Sequence, residues 1–195
     1  AVSVRKRLIE GENVNYTTSI LPVIIKLKQV CDHPALITGE NHPIQGRSEK
    51  FDWVLEKVDE IISQNDQVVI FSHFLYTLDL LEIKIRGDRT PFIRIDGSVQ
   101  NRQALIDTLN EGRARVALCS ILACGYGMIL WNVKHVIHRD RGWNPAVEDQ
   151  ATDRVHRIGQ DKTVYVYRIL NQGTLEERIA LLLEKKRGIS DMVIG

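Results

Sequence analysis

Long apolar runs are missing from this sequence. No stretch of its 195 residues approaches the roughly 20 consecutive apolar positions a membrane-spanning helix needs, and its start lacks a signal-peptide pattern. Cysteine is scarce and odd in number. Cys31, Cys119 and Cys124 lack metal-ligand spacing, which points to a reduced, intracellular chain with buried thiols. An excess of one charge is also missing. Lys and Arg number 26 against 25 Asp and Glu, for a formal net charge of +1. No global field therefore marks a nucleic-acid binder, and any anion site must be a local cluster. Two phosphate-handling patterns are absent as well: there is no Gly-x-x-x-x-Gly-Lys-Ser/Thr loop and no Asp-Glu-x-His box. The turn ACGYGM (residues 123–128) lacks the Gly-x-Gly-x-x-Gly of a dinucleotide fingerprint.

What is present is a regular alternation. The chain is 44% hydrophobic and 26% charged, ordinary for a globular fold with a sizeable core. Residues 1 to about 15 are unpatterned. Residues 16–31 carry a helix-like apolar pattern after Pro22, and 32–48 read as a loop with Pro34, Gly39, Pro43 and Gly46. Amphipathic helices are expected over 49–65, 75–87 and 102–112, and a closing helix over 174–194 with Thr174 and Glu177 as a capping box. Short apolar runs at 67–72, 92–97, 115–120, 135–140 and 163–170 read as strands. Strands alternating with helices imply βαβ units and a mostly parallel sheet. Ligands gather at the carboxyl ends of such strands. That rule singles out Ser72 and His73, then Asp96, Gly97 and Ser98, then Ser120, and lastly Asp140 and Arg141.

One stretch, DQATDRVHRIGQ (149–160), sets Gln150, Arg154 and Arg157 four and then three residues apart, which puts them on one face of a helix. Val147, Ala151, Val155 and Ile158 form a neighbouring apolar stripe. Asn144 and Pro145 suit the start of that helix and Gly159 its end. The plain reading is a solvated helix whose arginines pair with Asp149, Asp153 and Asp161.

The ordered set of motifs resembles the second, carboxyl-terminal RecA-like lobe of the Swi/Snf family of helicase superfamily two, ATP-driven double-stranded-DNA translocases. KLKQVCDHP (26–34) is similar to that family's helix ending in Cys-Asn-His-Pro, with Asp32 in place of the asparagine. SEK (48–50) resembles its Ser-x-Lys, VVIFSHF (68–74) motif IV, and RIDGS (94–98) the element after it. WNPAVEDQATDRVHRIGQ (143–160) resembles motif VI with its lead-in, and GTLEERIALLLEKKR (173–187) the brace helix.

The resemblance implies a RecA-like three-layer α/β/α fold with a mostly parallel sheet, an N-terminal helical segment and a C-terminal brace. It divides the chain into an arm and helical linker (1–47), the lobe (48–172) and the brace (173–195). It implies that Arg154 and Arg157 are arginine fingers and that Gln150, Gly125 and Gly127 face the nucleotide. Ser72, His73, Gly97, Ser98 and Ser120 become DNA-backbone contacts, with Lys134, His135, Arg139 and Arg141 either adding positive charge nearby or standing as solvated surface, and Trp143 packing at the lobe interface. The implied cofactors are ATP and Mg2+, held mainly by a first lobe that carries the missing phosphate loop. No metal site is expected in this chain, and alone it is expected not to hydrolyse ATP. The implied partners are double-stranded DNA, that first lobe, and DNA-bound proteins such as RNA polymerase or nucleosomes, in the cytoplasm and nucleoid of a prokaryote or a nucleus. Two departures stand out in SILACGYGMIL (120–130), which resembles motif V: Cys124 where glycine is usual, and Ile129 where an asparagine helps couple the DNA and nucleotide sites. Upstream of motif VI, Arg139 and Gly142 stand where aromatic residues are common. The rival readings are a non-catalytic RecA-like adaptor and a lobe of another superfamily-two helicase.

Overall fold

The computed structural model describes residues 21–39, 48–123, 128–155 and 162–194, with side chains to 186. The arm over 1–20, the glycine turn with Cys124, Gly125 and Gly127, and the end of the motif with Arg157 and Gly159 lie outside the described residues.

Five strands, β1 (Val68–Ser72), β2 (Phe92–Ile95), β3 (Val116–Ser120), β4 (His135–His138) and β5 (Tyr165–Arg168), form one sheet in the order β2-β3-β1-β4-β5. Every pairing is parallel. The registers set Ile95, Cys119, Phe71, His138 and Arg168 side by side, so all the carboxyl ends share one edge. The three central strands are buried throughout, whereas β2 and β5 at the rims are not. Continuous apolar runs such as VVIF are what a strand covered on both faces requires.

Side chains divide between the faces with a period of two. Val69, Phe71, Ala117, Cys119 and Val136 enter one core with Ile106 and Leu109 of α5 (Arg102–Asn110) and Ala151 of α6 (Pro145–Thr152). Val68, Ile70, Val116, Leu118 and Ile137 enter the other. There they meet Phe51, Val54, Val58 and Ile61 of α3 (Glu49–Ser63) and Leu78 and Leu81 of α4 (Leu75–Gly87). The result is the three-layer α/β/α arrangement expected of a RecA-like fold, with the sheet fully parallel.

Helix α1 (Leu21–Asp32) and the short α2 (Ala35–Thr38), which forms within a stretch that reads as loop, precede this sandwich. Helix α7 (Leu175–Ile194) follows it. Polar contacts fasten these outer elements. Ser48 caps α3 by accepting from Phe51 N at 3.2 Å and donates to the Asp32 carbonyl at 2.9 Å. Lys50 pairs with Glu176 of α7 at 2.7 Å, both side chains fully buried. Asn171 Nδ2 donates to the Cys31 carbonyl at 2.6 Å. The Ser-x-Lys stretch is thus a junction between α1, the sandwich and α7. At the start of α7, Thr174 Oγ1 accepts from Glu176 N at 3.2 Å and Glu177 reaches back to Gly173 N at 3.0 Å.

Helix α6 departs from expectation. Its spacing predicts a helix to Gly159, but it stops at Thr152 with Asp153 as cap. Arg154 N and Val155 N bond three residues back, to Ala151 and Thr152, and the Arg154 carbonyl accepts from Leu130 N at 3.1 Å. A tightened last turn and a tertiary backbone contact end the helix where periodicity alone continues it.

Candidate functional site at the carboxyl edge of the sheet

The turn after β1 is built around a carboxylate from another strand. Asp140 accepts from the Ser72 hydroxyl at 2.5 Å and from the His73 amide at 3.0 and 3.2 Å. Ser72 Oγ also accepts from Phe74 N at 3.0 Å. Ser72 is fully buried. Ser72 and the His73 amide are thus engaged inward, where they shape the turn. The His73 imidazole is partly buried, and burial lowers its pKa despite nearby Asp140.

The turn after β2 has the opposite character. Arg94 Nε donates to Asp96 at 2.9 Å, and Asp96 accepts from Ser98 N at 2.9 Å and Ser98 Oγ at 2.6 Å. The Ser98 hydroxyl and amide, with Arg94, hold the Asp96 carboxyl below its ordinary range. That scaffold leaves Gly97 and Ser98 exposed. At the end of β3, Ser120 is buried and in register with Ser72.

The segment after β4 is the least legible in sequence. Arg139 is fully buried, ion-paired with Asp32 of α1, and set over the Phe51 ring at 5.4 Å. Thr77 Oγ1 donates to the same carboxylate. Burial lowers the Arg139 pKa to about 10. Arg141 Nε donates to Glu148 at 3.0 and 3.1 Å, and Gly142 N adds a bond to Glu148 at 2.9 Å. Lys28 donates to the Arg141 carbonyl, its ammonium 5.2 Å from the Trp143 ring and 5.8 Å from that of Phe74. Burial lowers the Lys28 pKa. Arg139 and Arg141 therefore add no charge to the surface, contrary to expectation. Lys134 and His135 stand at the amino end of β4, away from this edge, where Lys134 pairs with Asp66 at 2.6 Å.

Helix α6 leaves the same edge. Asn144 caps it by accepting from Ala146 N at 3.1 Å, with Pro145 in its first turn. Ala151 and the following Val155 are buried, as the apolar stripe predicts, while Gln150 is exposed and Arg154 partly exposed beyond the helix end. Arg154 thus lies near Gln150 in sequence but not on one continuous helix with it. Below, His138 Nε2 sits 2.9 Å from Thr152 Oγ1. Among the described residues no group of three or more His, Cys, Asp or Glu could hold a metal ion. An amide and a guanidinium at Gln150 and Arg154 suit a phosphate. Glu148 and Lys28, which organise this edge, are not singled out by the strand-end rule. The signal that bears on the Asp32 pairing is in the sequence: opposite charges at Asp32 and Arg139, where the resembling family has neutral residues.

An all-parallel sheet of this order, with polar turns along one edge and a WNP-led helix leaving it, defines a RecA-like lobe of the helicase type. The pattern of the helicase conserved C-terminal domain matches residues 50–159. The chain is 38% identical over 180 residues to YwqA of Bacillus subtilis, which carries the name ATP-dependent helicase/translocase, covering 90% of this chain and 20% of that protein. It is 32% identical over 204 residues to the DNA repair and recombination protein RAD54-like of Danio rerio, covering 91% of this chain and 28% of that protein. Among solved structures, the Sulfolobus solfataricus SWI2/SNF2 ATPase core in complex with dsDNA superposes with a TM-score of 0.79 at 32% identity, over 96% of this chain and 40% of that one. The C-terminal part of the Fun30 ATPase domain superposes with a TM-score of 0.67 at 31% identity, over 82% and 53% of the two chains. The chain belongs to the helicase C-terminal domain family, as the RecA-like lobe of the Swi2/Snf2 type. It spans about a fifth of the length of YwqA.

Proposed function

We propose that this chain is the second ATPase lobe of a DNA-stimulated translocase that couples ATP hydrolysis to movement along double-stranded DNA and to remodelling of protein–DNA complexes. The observation that carries the reading is the common edge. The ends of β1, β2 and β3 and the start of the α6 segment all meet there. A duplex tracked through its phosphates needs exposed backbone and small residues rather than base-reading side chains. The Gly97–Ser98 turn supplies such a surface, and the Ser72–His73 turn, its imidazole partly buried, and Ser120 stand on the same edge. Gln150 and Arg154, with Arg157, Gly125 and Gly127 outside the described residues, form the nucleotide side. ATP supplies the phosphoryl group, and its Mg2+ is held mainly by the first lobe. The guanidinium groups, planar and permanently charged, stabilise the charge that develops during transfer. In this reading residues 48–172 are the lobe, 1–47 its helical linker and 173–195 its brace, and the chain alone is inactive.

The test is ATP turnover by the complete protein, with and without duplex DNA, in wild-type and Arg157→Ala forms. DNA-stimulated turnover that drops about a thousandfold in the variant supports the arginine-finger role. Nucleotide binding without turnover in either form would favour the adaptor reading, with Cys124 and Ile129 as its cause.

A further inference from the structure

Three consecutive residues after β4 reach three different elements. Arg139 runs back to Asp32 at the end of α1. Asp140 holds the Ser72 hydroxyl and the His73 amide in the turn after β1. Arg141 reaches forward to Glu148, in the first turn of α6. All three residues and Glu148 are at most 3% exposed. Interiors of this density transmit displacement instead of absorbing it. Glu148 gathers the Arg141 Nε and the Gly142 amide, and the positive end of α6 also favours a carboxylate there.

We propose that Arg139-Asp140-Arg141 ties the turn at Ser72–His73 to α6, and that Arg141 and Glu148 are positioning residues that couple DNA engagement to ATP hydrolysis. A shift of the β1 turn moves Asp140. Its neighbour Arg141 then moves Glu148, and with it the helix that carries Gln150 and leads to Arg154. The Asp32 pair fixes the other side of the segment, so motion passes towards α6. This inference rests on the translocase reading above. Ile129, where the resembling family carries an asparagine, is held through its carbonyl, which accepts from Asn110 Nδ2 at 3.0 Å.

The test uses the complete protein and three readouts: basal ATP turnover, turnover at saturating duplex DNA, and duplex affinity. The principal variant is Arg141→Met with Glu148→Gln. It removes both charges of the pair together; Arg168, 3.8 Å from Glu148, keeps Asp149 at 3.4 Å, and the new amide still offers the Gly142 N–H an acceptor. The expected result is a fall of about tenfold in the ratio of stimulated to basal turnover, within the usual range of coupling between sites, with duplex affinity unchanged. Arg141→Lys, which keeps the charge, is expected to retain part of the stimulation. It is read by the same criteria if the double variant melts below the assay temperature. Full stimulation in the variants overturns the proposal, as does a parallel loss of all three readouts. A wild-type protein that DNA does not stimulate sinks the translocase reading and the tie with it. A stimulated wild type with fully stimulated variants sinks the tie alone.

Discussion

Gly97 and Gly142 are glycines for different reasons. A Cβ at Gly142 would lie 2.7 Å from His73 Nε2, whereas one at Gly97 would meet nothing within 4 Å, and neither residue needs a positive φ. The His73 ring therefore crowds Gly142, whereas nothing crowds Gly97. Gly142→Ala should lower stability by about 1–3 kcal/mol through overpacking against the imidazole. Gly97→Ala should leave stability within about 0.5 kcal/mol, yet weaken duplex binding if a phosphate approaches that backbone. Melting curves and duplex titrations of the two variants check both statements, and unchanged affinity in Gly97→Ala removes that turn from the DNA surface. Gly142 takes the place of a common aromatic residue because His73 fills the space a side chain would need.

Helix α1 is held by contacts to residues far along the chain. The Asp32–Arg139 pair, fully buried on both sides, joins its last residue to the end of β4. The two residues that depart from the family's usual Asn and aromatic are therefore one exchange: each charge requires the other. Asp32→Asn should destabilise the protein by about 3–5 kcal/mol, because it leaves a buried guanidinium without its counter-charge. Adding Arg139→Tyr should recover most of that loss, since it returns a neutral pair. Chemical denaturation of the two single variants and the double variant measures the coupling. Additive losses would mean that the residues act independently. The same scale explains α6. Its start, its cap and its apolar stripe are written in neighbouring residues, but its end is set by Leu130, a donor from another segment.

For the molecule as a whole, buried histidines set a pH dependence. His138 is fully buried beside Phe71, and burial lowers its pKa from 6.5 to about 4. His73 and His135 shift downward for the same first reason. Between pH 4 and 6.5 the unfolded chain binds more protons at His138 than the folded one, so stability rises with pH across that window and its full value is present above it. For His138 the contribution lost on acidification is about 3 kcal/mol. The melting temperature should therefore fall from neutral pH towards pH 5 by linkage, and His138→Gln should flatten that slope. An unchanged slope would mean that other groups govern it.

The sequence by itself determined the alternation of strands and helices, the direction of the sheet and the edge where polar turns collect, because these depend on apolar period, turn residues and handedness, which are local. The resemblance carried by WNPAVEDQATDRVHRIGQ named the family on its own. Only the tertiary structure decided which polar groups at that edge face outward. Ser72 and Arg141 read as surface groups by position, yet Asp140 and Glu148 draw them inward, while Gly97 and Ser98 stay exposed. Partners such as Asp32 and Arg139 are 107 residues apart, and no local spacing brings such distant charges together. Their pairing follows from the packing of α1 against the sheet edge, where a desolvated charge persists only beside its opposite.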